Sequence, residues 1–173
     1  MIIIGYPGIG KTTLAKAIIG KSTFAIDLES SCFWVPQDGK VKVRPNMWEY
    51  VYCNIAEDIS KCGNVVFVSS HYSVRHCLEN RNSKEKIAVC LPSIGLQKEW
   101  IKKLEDRYDA SGISKDFRAW ISAKEHYTRD IVDMKEQAIK NNWEIIEITS
   151  MDYKLRSMVF NLILKMNGDN NEE

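Results

Sequence analysis

The stretch that decides the fold is Met1-Ile-Ile-Ile-Gly5-Tyr-Pro-Gly-Ile-Gly10-Lys-Thr-Thr13. Its short β-branched run, Ile2–Ile4, predicts a buried strand. The residues from Gly5 to Thr12 fill the pattern G-x-x-x-x-G-K-[ST], and apolar residues then continue with helical spacing as far as Ile19. A strand, a glycine-rich loop and a helix in this order predict a phosphate-binding loop.

Each part of this loop has a role in holding a triphosphate. The glycines let the backbone curl so that its N–H groups point inward, and the positive end of a helix expected from about Lys11 to Ile19 points at the same place. Lys11 places a cation on the outer phosphates, and the Thr12 hydroxyl is the expected ligand of a bridging magnesium ion. The expected nucleotide-binding residues are Gly5, Pro7, Gly8, Ile9, Gly10, Lys11, Thr12 and Thr13.

The composition predicts one globular domain over residues 1–173, with 45% hydrophobic and 27% charged residues. A net charge of +1 gives no global attraction to nucleic acid or anionic lipid, although it leaves room for a local basic patch. No apolar run reaches the length of about 18 residues that a membrane span needs. The five cysteines form no C-x-x-C pair, as is typical of reduced thiols. We therefore expect a cytoplasmic protein, as a monomer or a homodimer.

Strands and helices alternate along the rest of the chain. Four further apolar runs predict strands: 24–27, 65–68, 87–91 and 143–148. A β-hairpin is predicted around Asp38-Gly39, and the apolar stripe of the next helix is predicted as Met47, Val51, Ile55 and Ile59. The polar tail 167–173 is expected to be flexible. The alternation predicts a parallel sheet covered by helices on both faces, with ligands at the carboxyl ends of its strands.

Three polar residues that follow strands are candidates for the chemistry. Asp27 and Glu29 come directly after the second strand, where carboxylates can act through water on the magnesium or bind a substrate hydroxyl. Alternatively, they cap a helix or are solvated loop acids. Ser70 follows the third strand and would face the same cleft as Thr12.

Two arginines are candidates for binding an anionic acceptor. Arg44 closes the predicted hairpin, and Arg75 lies one turn into the helix after the third strand. A planar guanidinium suits a phosphate, whereas an exposed basic edge strand is the alternative for Arg44. Three nearby aromatic residues are interpreted either as core or as a stacking platform for a base: Phe33, Trp34 and Trp48.

Arg107 and Arg118 bracket a short polar segment that we predict to be a lid, 107–118. A mobile loop with an arginine at each hinge would close over a triphosphate and neutralise charge on the moving phosphoryl group. It would also keep out water, which competes as an acceptor. Two surface arginines on amphipathic helices are the alternative.

On these residues the chain resembles the P-loop small-molecule kinases, namely the nucleoside monophosphate kinases and their shikimate and gluconate kinase relatives. The resemblance is carried by Gly5-Tyr-Pro-Gly-Ile-Gly-Lys-Thr12 and by Asp27-x-Glu29, and it covers nearly the whole chain in order and size. It implies a three-layer α/β/α fold with a five-stranded parallel sheet in the order 2-3-1-4-5. It also implies an acceptor-binding insertion at 28–62 and a short lid at 107–118. The overall pattern is similar to small kinases encoded by bacteriophages.

The resemblance implies phosphoryl transfer from magnesium-bound ATP to a nucleoside or deoxynucleoside monophosphate. Lys11, Arg107 and Arg118 would be catalytic, with Asp27 organising waters on the metal. The acceptor would be held by Glu29, Arg44, Ser70 and Arg75. Nucleic acid is not expected as a partner, although the composition leaves it open. Ser69-Ser70-His71 departs from the family, since adenylate kinases commonly carry an aspartate there.

Two alternatives remain open from the sequence. One is a kinase of a hydroxyl, either of the shikimate or gluconate type or on a modified base or polynucleotide end, with Asp27 as the base. The other is a nucleotide-binding regulator without transferase activity, which the missing third-strand acid favours.

Overall fold

The computed structural model describes residues 1–15, 18–19, 23–37, 41–81 and 83–168. The strands in these ranges are β1 (Ile2–Gly5), β2 (Ile18–Ile19), β3 (Thr23–Asp27), β4 (Val35–Gln37), β5 (Val41–Val43), β6 (Val65–Ser69), β7 (Ile87–Pro92) and β8 (Glu144–Ile148). The helices are α1 (Lys11–Leu14), α2 (Trp48–Lys61), α3 (Tyr72–Glu79), α4 (Gln97–Ser111), α5 (Ser114–Lys140) and α6 (Leu155–Gly168).

Five strands form a parallel sheet, as the alternation of strands and helices predicts. They follow one another in space as β3, β6, β1, β7 and β8. Gly5 at the end of β1 is in register with Ser69 of β6 and Cys90 of β7, so the carboxyl ends of the central strands meet at one edge. β1 and β7 are buried along their whole length, which requires cover on both faces. The arrangement is compatible with three layers.

The sheet differs from the prediction at its edge. β2 pairs antiparallel with β3 through Ile18 and Ile19, so the order across the whole sheet is β2-β3-β6-β1-β7-β8. When all eight described strands are numbered, this order differs from the predicted 2-3-1-4-5. The edge strand β2 and the separate pair β4-β5 do not belong to the five strands of that prediction. The prediction of a first helix reaching Ile19 is wrong, since α1 ends at Leu14. Two consecutive β-branched residues favour the extended backbone found at 18–19.

The region predicted to bind the acceptor, 28–62, contains the hairpin and α2. β4 and β5 pair as predicted, with Val35 opposite Val43, while the turn at Asp38-Gly39 lies outside the described residues. The predicted buried stripe of α2 is wrong for three of its four members. Met47, Val51 and Ile55 are 63%, 52% and 38% exposed. The buried face lies one position further on, at Trp48, Tyr52, Cys53, Ala56, Glu57 and Ser60.

The predicted lid, 107–118, is a tight turn between two helices. α4 continues to Ser111, Gly112 ends it with a φ of 62°, and α5 begins at Ser114. The segment predicted as a mobile loop is therefore mostly helical. Of the predicted flexible tail, residues 167–168 belong to α6 and the rest lies outside the described residues. Among the described helices, none combines the length and apolar character needed to cross a membrane.

Tyr52 joins the ends of the two strands that lead into the site. Its hydroxyl donates a hydrogen bond to the carbonyl of Leu28, at 2.6 Å, and accepts one from the N–H of Ser69, at 2.9 Å. The side chain is fully buried, and this burial raises the pKa of the phenol well above its usual value. The phenol therefore fixes the segment after β3 against the end of β6.

The Tyr52→Phe variant should lose about 2–3 kcal/mol of unfolding free energy, because one carbonyl and one N–H are left buried without a partner. Urea denaturation measures this loss. Tyr50→Phe is the matched control, since Tyr50 lies on the exposed face of the same helix and should change stability by less than about 0.5 kcal/mol. Equal stability of the two variants would show that the Tyr52 hydroxyl does not hold the two strand ends.

Candidate functional site

The glycine-rich loop joins the end of β1 to the start of α1. Gly8 and Gly10 have φ values of 87° and 94°, which side chains with a Cβ rarely adopt. A Cβ on Gly5 would lie 2.7 Å from Ile9 Cδ1 and 2.7 Å from Lys11 Cδ. The loop therefore needs glycine where the sequence pattern has it. Because α1 is a single turn, the helix dipole adds less than the sequence predicts.

Lys11 lies inside the curve of this loop. Its Nζ donates hydrogen bonds to the carbonyl oxygens of Gly5, at 2.7 Å, and Tyr6, at 3.3 Å. Desolvation lowers the pKa of Lys11 to about 8, while the charges of Asp27 and Glu29 act in the opposite direction. An ammonium group held by backbone carbonyls can take an anion as its partner instead.

Thr12 and Asp27 are brought together from α1 and β3. The Thr12 hydroxyl donates a 2.6 Å hydrogen bond to Asp27 Oδ2. A hydroxyl and a carboxylate are oxygen ligands of the kind magnesium prefers. In the described part of the chain, no group of three or more His, Cys, Asp and Glu side chains could hold a metal ion. A magnesium ion here would take its remaining ligands from water and phosphate, as it commonly does.

Glu29 has a partner that the sequence analysis missed. Lys115, in the first turn of α5, places its Nζ 2.6 Å from Oε1 and 2.5 Å from Oε2 of Glu29. The charge of Lys115 also lowers the pKa of Lys11, so this ammonium lies near the loop. The residue falls within the predicted lid, but its partner Glu29 lies 86 residues away in the sequence, so no local signal indicates the pair.

Arg44 is held by two indole rings. Its Cζ lies 4.0 Å from the ring centroid of Trp48 and 4.8 Å from that of Trp34. One Nη atom donates to Ser30 Oγ at 3.1 Å and lies 3.4 Å from His71 Nε2. The buried Nε has no hydrogen-bond partner among the residues that the structure describes. The guanidinium thus occupies ring faces on which the sequence analysis considered a stacked base.

His71 lies close to several positively charged side chains, in the cleft beside the glycine-rich loop. Desolvation, together with the charges of Arg44, Lys11 and Arg118, lowers the pKa of His71 to about 4, so the imidazole is neutral at pH 7. Desolvation lowers the pKa of Arg44, and the charge of Arg118 lowers it further. Cations from the loop, from the hairpin and from α5 therefore act on one cleft. Such a cleft favours an anionic ligand.

Arg75 is not part of this group, which corrects its assignment to the acceptor. It is 5% exposed, its Nε donates to the Ser70 carbonyl at 3.1 Å, and its Nη atoms bind Gln137 and Asp133 of α5. These partners hold the guanidinium in the packing between α3 and α5. Ser70 is half-buried at the mouth of the cleft.

The remaining loop residues take different positions. Ile9 is buried beneath the loop, and the Thr13 side chain is exposed on α1. Pro7 offers its carbonyl to Trp100 Nε1, at 2.9 Å. Because its side chain is buried, Ile9 is a packing residue of the loop.

Arg107 is bound within the turn between α4 and α5. It forms an ion pair with the buried Asp116, which also accepts a 2.7 Å hydrogen bond from the Ser111 hydroxyl. Within the described part of the chain, the buried Arg107 Nε has no hydrogen-bond partner. Arg107 therefore stabilises the turn, whereas Arg118 is exposed and close enough to influence His71.

No protein-family model matches the chain, and no curated protein matches it in sequence. Its function is therefore inferred from the geometry of the site.

The two arginines of the predicted lid should differ in their effect on stability. Arg107→Met should reduce the unfolding free energy by about 2–3 kcal/mol, because it leaves the Asp116 carboxylate buried without its cation. Arg118→Met, at an exposed position, should change it by less than about 0.5 kcal/mol. Urea denaturation of the two variants makes the comparison. Wild-type stability in Arg107→Met would contradict the structural role of Arg107.

Proposed function

We propose that this chain is a magnesium- and ATP-dependent kinase that phosphorylates a phosphate group on a small molecule, a nucleoside or deoxynucleoside monophosphate. The observation that carries the proposal is the placing of Lys11 beside the Thr12–Asp27 hydrogen bond, with Arg44 in contact with His71, which follows the neighbouring strand β6. Lys11 thus supplies a cation for the donor, Arg44 supplies one for the acceptor, and Thr12 and Asp27 supply a pair of oxygen ligands. Phosphoryl transfer requires this combination of positioning and charge.

On the donor side, the loop and Lys11 hold the outer phosphates of ATP. The Lys11 ammonium exchanges the carbonyls of Gly5 and Tyr6 for phosphate oxygens, so that little reorganisation of the loop is needed. Thr12 and Asp27 would hold a magnesium ion, Thr12 directly and Asp27 through water. When bound, the ion neutralises charge on the phosphates.

On the acceptor side, Arg44 binds the phosphate of the monophosphate. The indole rings of Trp34 and Trp48 fix its guanidinium plane, and Ser30 fixes one Nη atom. A guanidinium that is already oriented loses little entropy when it binds a phosphate. His71 is neutral, so it does not give a proton to the acceptor phosphate. No strong base is required, because a phosphate oxygen of the acceptor is itself the nucleophile.

Lys115 covers the site from α5. Its present partner is Glu29, and a triphosphate offers it a stronger negative charge at the same mouth. Lys115 and Arg118 lie within one turn of each other, so a single movement of the α4–α5 turn brings both toward the phosphates. The two cations would neutralise charge on the transferring group and exclude water.

A hydroxyl acceptor is the second candidate, and the geometry of Asp27 favours it. The carboxylate already accepts a hydrogen bond from a hydroxyl group, that of Thr12, at 2.6 Å. An alcohol in the place of Thr12 could give its proton to Asp27 as the general base. This reaction covers shikimate-like and gluconate-like acceptors and a polynucleotide end.

The acceptor panel is the direct test of the proposal. Purified protein with ATP and magnesium should form ADP at least tenfold faster with one monophosphate than without an acceptor. A response to alcohols alone favours the second candidate. Slow hydrolysis that ignores every acceptor, or binding without turnover, contradicts a kinase and favours a nucleotide-binding regulator.

In the same assay, Lys11→Met should lower turnover about 100-fold or more, because the variant lacks the cation that neutralises phosphate charge. Lys98→Met is the matched control, since Lys98 is exposed on α4, and it should retain wild-type turnover. Acceptor-dependent turnover that survives in Lys11→Met would exclude the loop as the phosphate site.

A further inference from the structure

Two carbonyl groups of the glycine-rich loop are held from outside the loop. Trp100 of α4, which is fully buried, donates from its indole Nε1 to the carbonyl oxygen of Pro7 at 2.9 Å. Tyr153, which precedes α6, donates from its hydroxyl to the carbonyl oxygen of Gly8 at 3.2 Å. Both donors are far from the loop in the sequence, so the fold itself supplies them.

The direction of these carbonyls determines the direction of the loop's N–H groups. In a trans peptide the C=O and N–H bonds point in opposite directions. Holding the carbonyls of Pro7 and Gly8 outward therefore turns the following N–H groups, those of Gly8 and Ile9, the other way. The Ile9 N–H does point into the loop, where it makes a long, 3.4 Å contact with the Tyr6 carbonyl. An N–H with so weak a partner can bind an anion instead.

Lys103 orients the Tyr153 hydroxyl. Its Nζ donates to the phenol oxygen at 2.8 Å, so the hydroxyl hydrogen is left to donate to Gly8. The same ammonium lies 4.4 Å from the ring centroid of Trp100 and 4.7 Å from that of Tyr153. The two rings are stacked, with centroids 5.8 Å apart. Desolvation lowers the pKa of Lys103, as expected for an ammonium enclosed by two rings.

The loop also lies directly against this group. A Cβ on Gly8 would be 3.0 Å from Leu104 Cδ2 and 3.3 Å from Trp100 Nε1. The peptide after Pro7 is thus fixed by packing as well as by hydrogen bonds, and it has little freedom to rotate.

We propose that Trp100, Lys103 and Tyr153 are positioning residues of the phosphate site, which hold the loop amides in the orientation that binds a triphosphate. None of the three touches the phosphates. The proposal rests on the proposed function in so far as the ligand is a triphosphate. A purely structural group would lower stability when altered without changing the loop amides or their affinity for the anion.

The test compares Tyr153→Phe with Tyr108→Phe, by hydrogen exchange in the free protein and by calorimetric binding of inorganic triphosphate. Tyr153→Phe keeps the ring but loses the hydrogen bond to Gly8, so the loop amides should exchange faster and the Kd should rise about tenfold. Tyr108 lies on α4 with its ring against Phe117 and Trp120, so Tyr108→Phe should leave both quantities unchanged.

The outcomes separate this proposal from the proposed function. Loop exchange and Kd that match the wild type in Tyr153→Phe would overturn the positioning role. If the wild-type protein itself binds no triphosphate, the proposed function fails. Hydrogen exchange then decides alone: faster exchange confined to the loop supports the positioning role, and unchanged exchange overturns it. Trp100→Phe, which removes the other donor, should give the same pattern.

Discussion

The hydrogen bonds from the Lys11 ammonium to the carbonyls of Gly5 and Tyr6 are the interaction on which the site depends. They require a loop that curls tightly at the end of a strand, and that strand must lie at the centre of the sheet. β1 meets this need because it pairs with β6 on one side and β7 on the other and is buried along its whole length. The parallel order then brings Asp27 at the end of β3 to the same edge, where it meets Thr12.

Helix α4 contacts the glycine-rich loop through one part of its length and the start of α5 through another. Near its start, Trp100 and Leu104 lie against the loop, and near its end Arg107 binds Asp116 in the first turn of α5. Residues at this spacing lie along one side of a helix. Lys115 stands next to Asp116, so α4 links the glycine-rich loop to the turn that carries Lys115.

The sequence predicts the parts of this structure that are local. β1 and its loop follow from a β-branched run and a glycine pattern that few other structures require. The face of α2 does not follow, because Met47 and Val51 have the same spacing as Trp48 and Tyr52, and only the neighbouring strands decide which pair is buried. Arg75 is excluded from the site by its hydrogen bonds to Gln137 and Asp133, which lie far along the chain on α5. Those contacts have no local signal.

The most direct measurement of the central claim is the proton uptake that accompanies ATP binding. With a pKa of about 8, most Lys11 side chains are neutral at pH 8.5, and a bound anion favours the charged form. Calorimetry in buffers of different ionisation enthalpy should therefore show proton uptake at pH 8.5 and less uptake at pH 7. The Lys11→Arg variant stays charged at both pH values, so it should show no such proton uptake at either of them. ATP binding without uptake at pH 8.5 in the wild-type protein would contradict the exchange of backbone carbonyls for phosphate at Lys11.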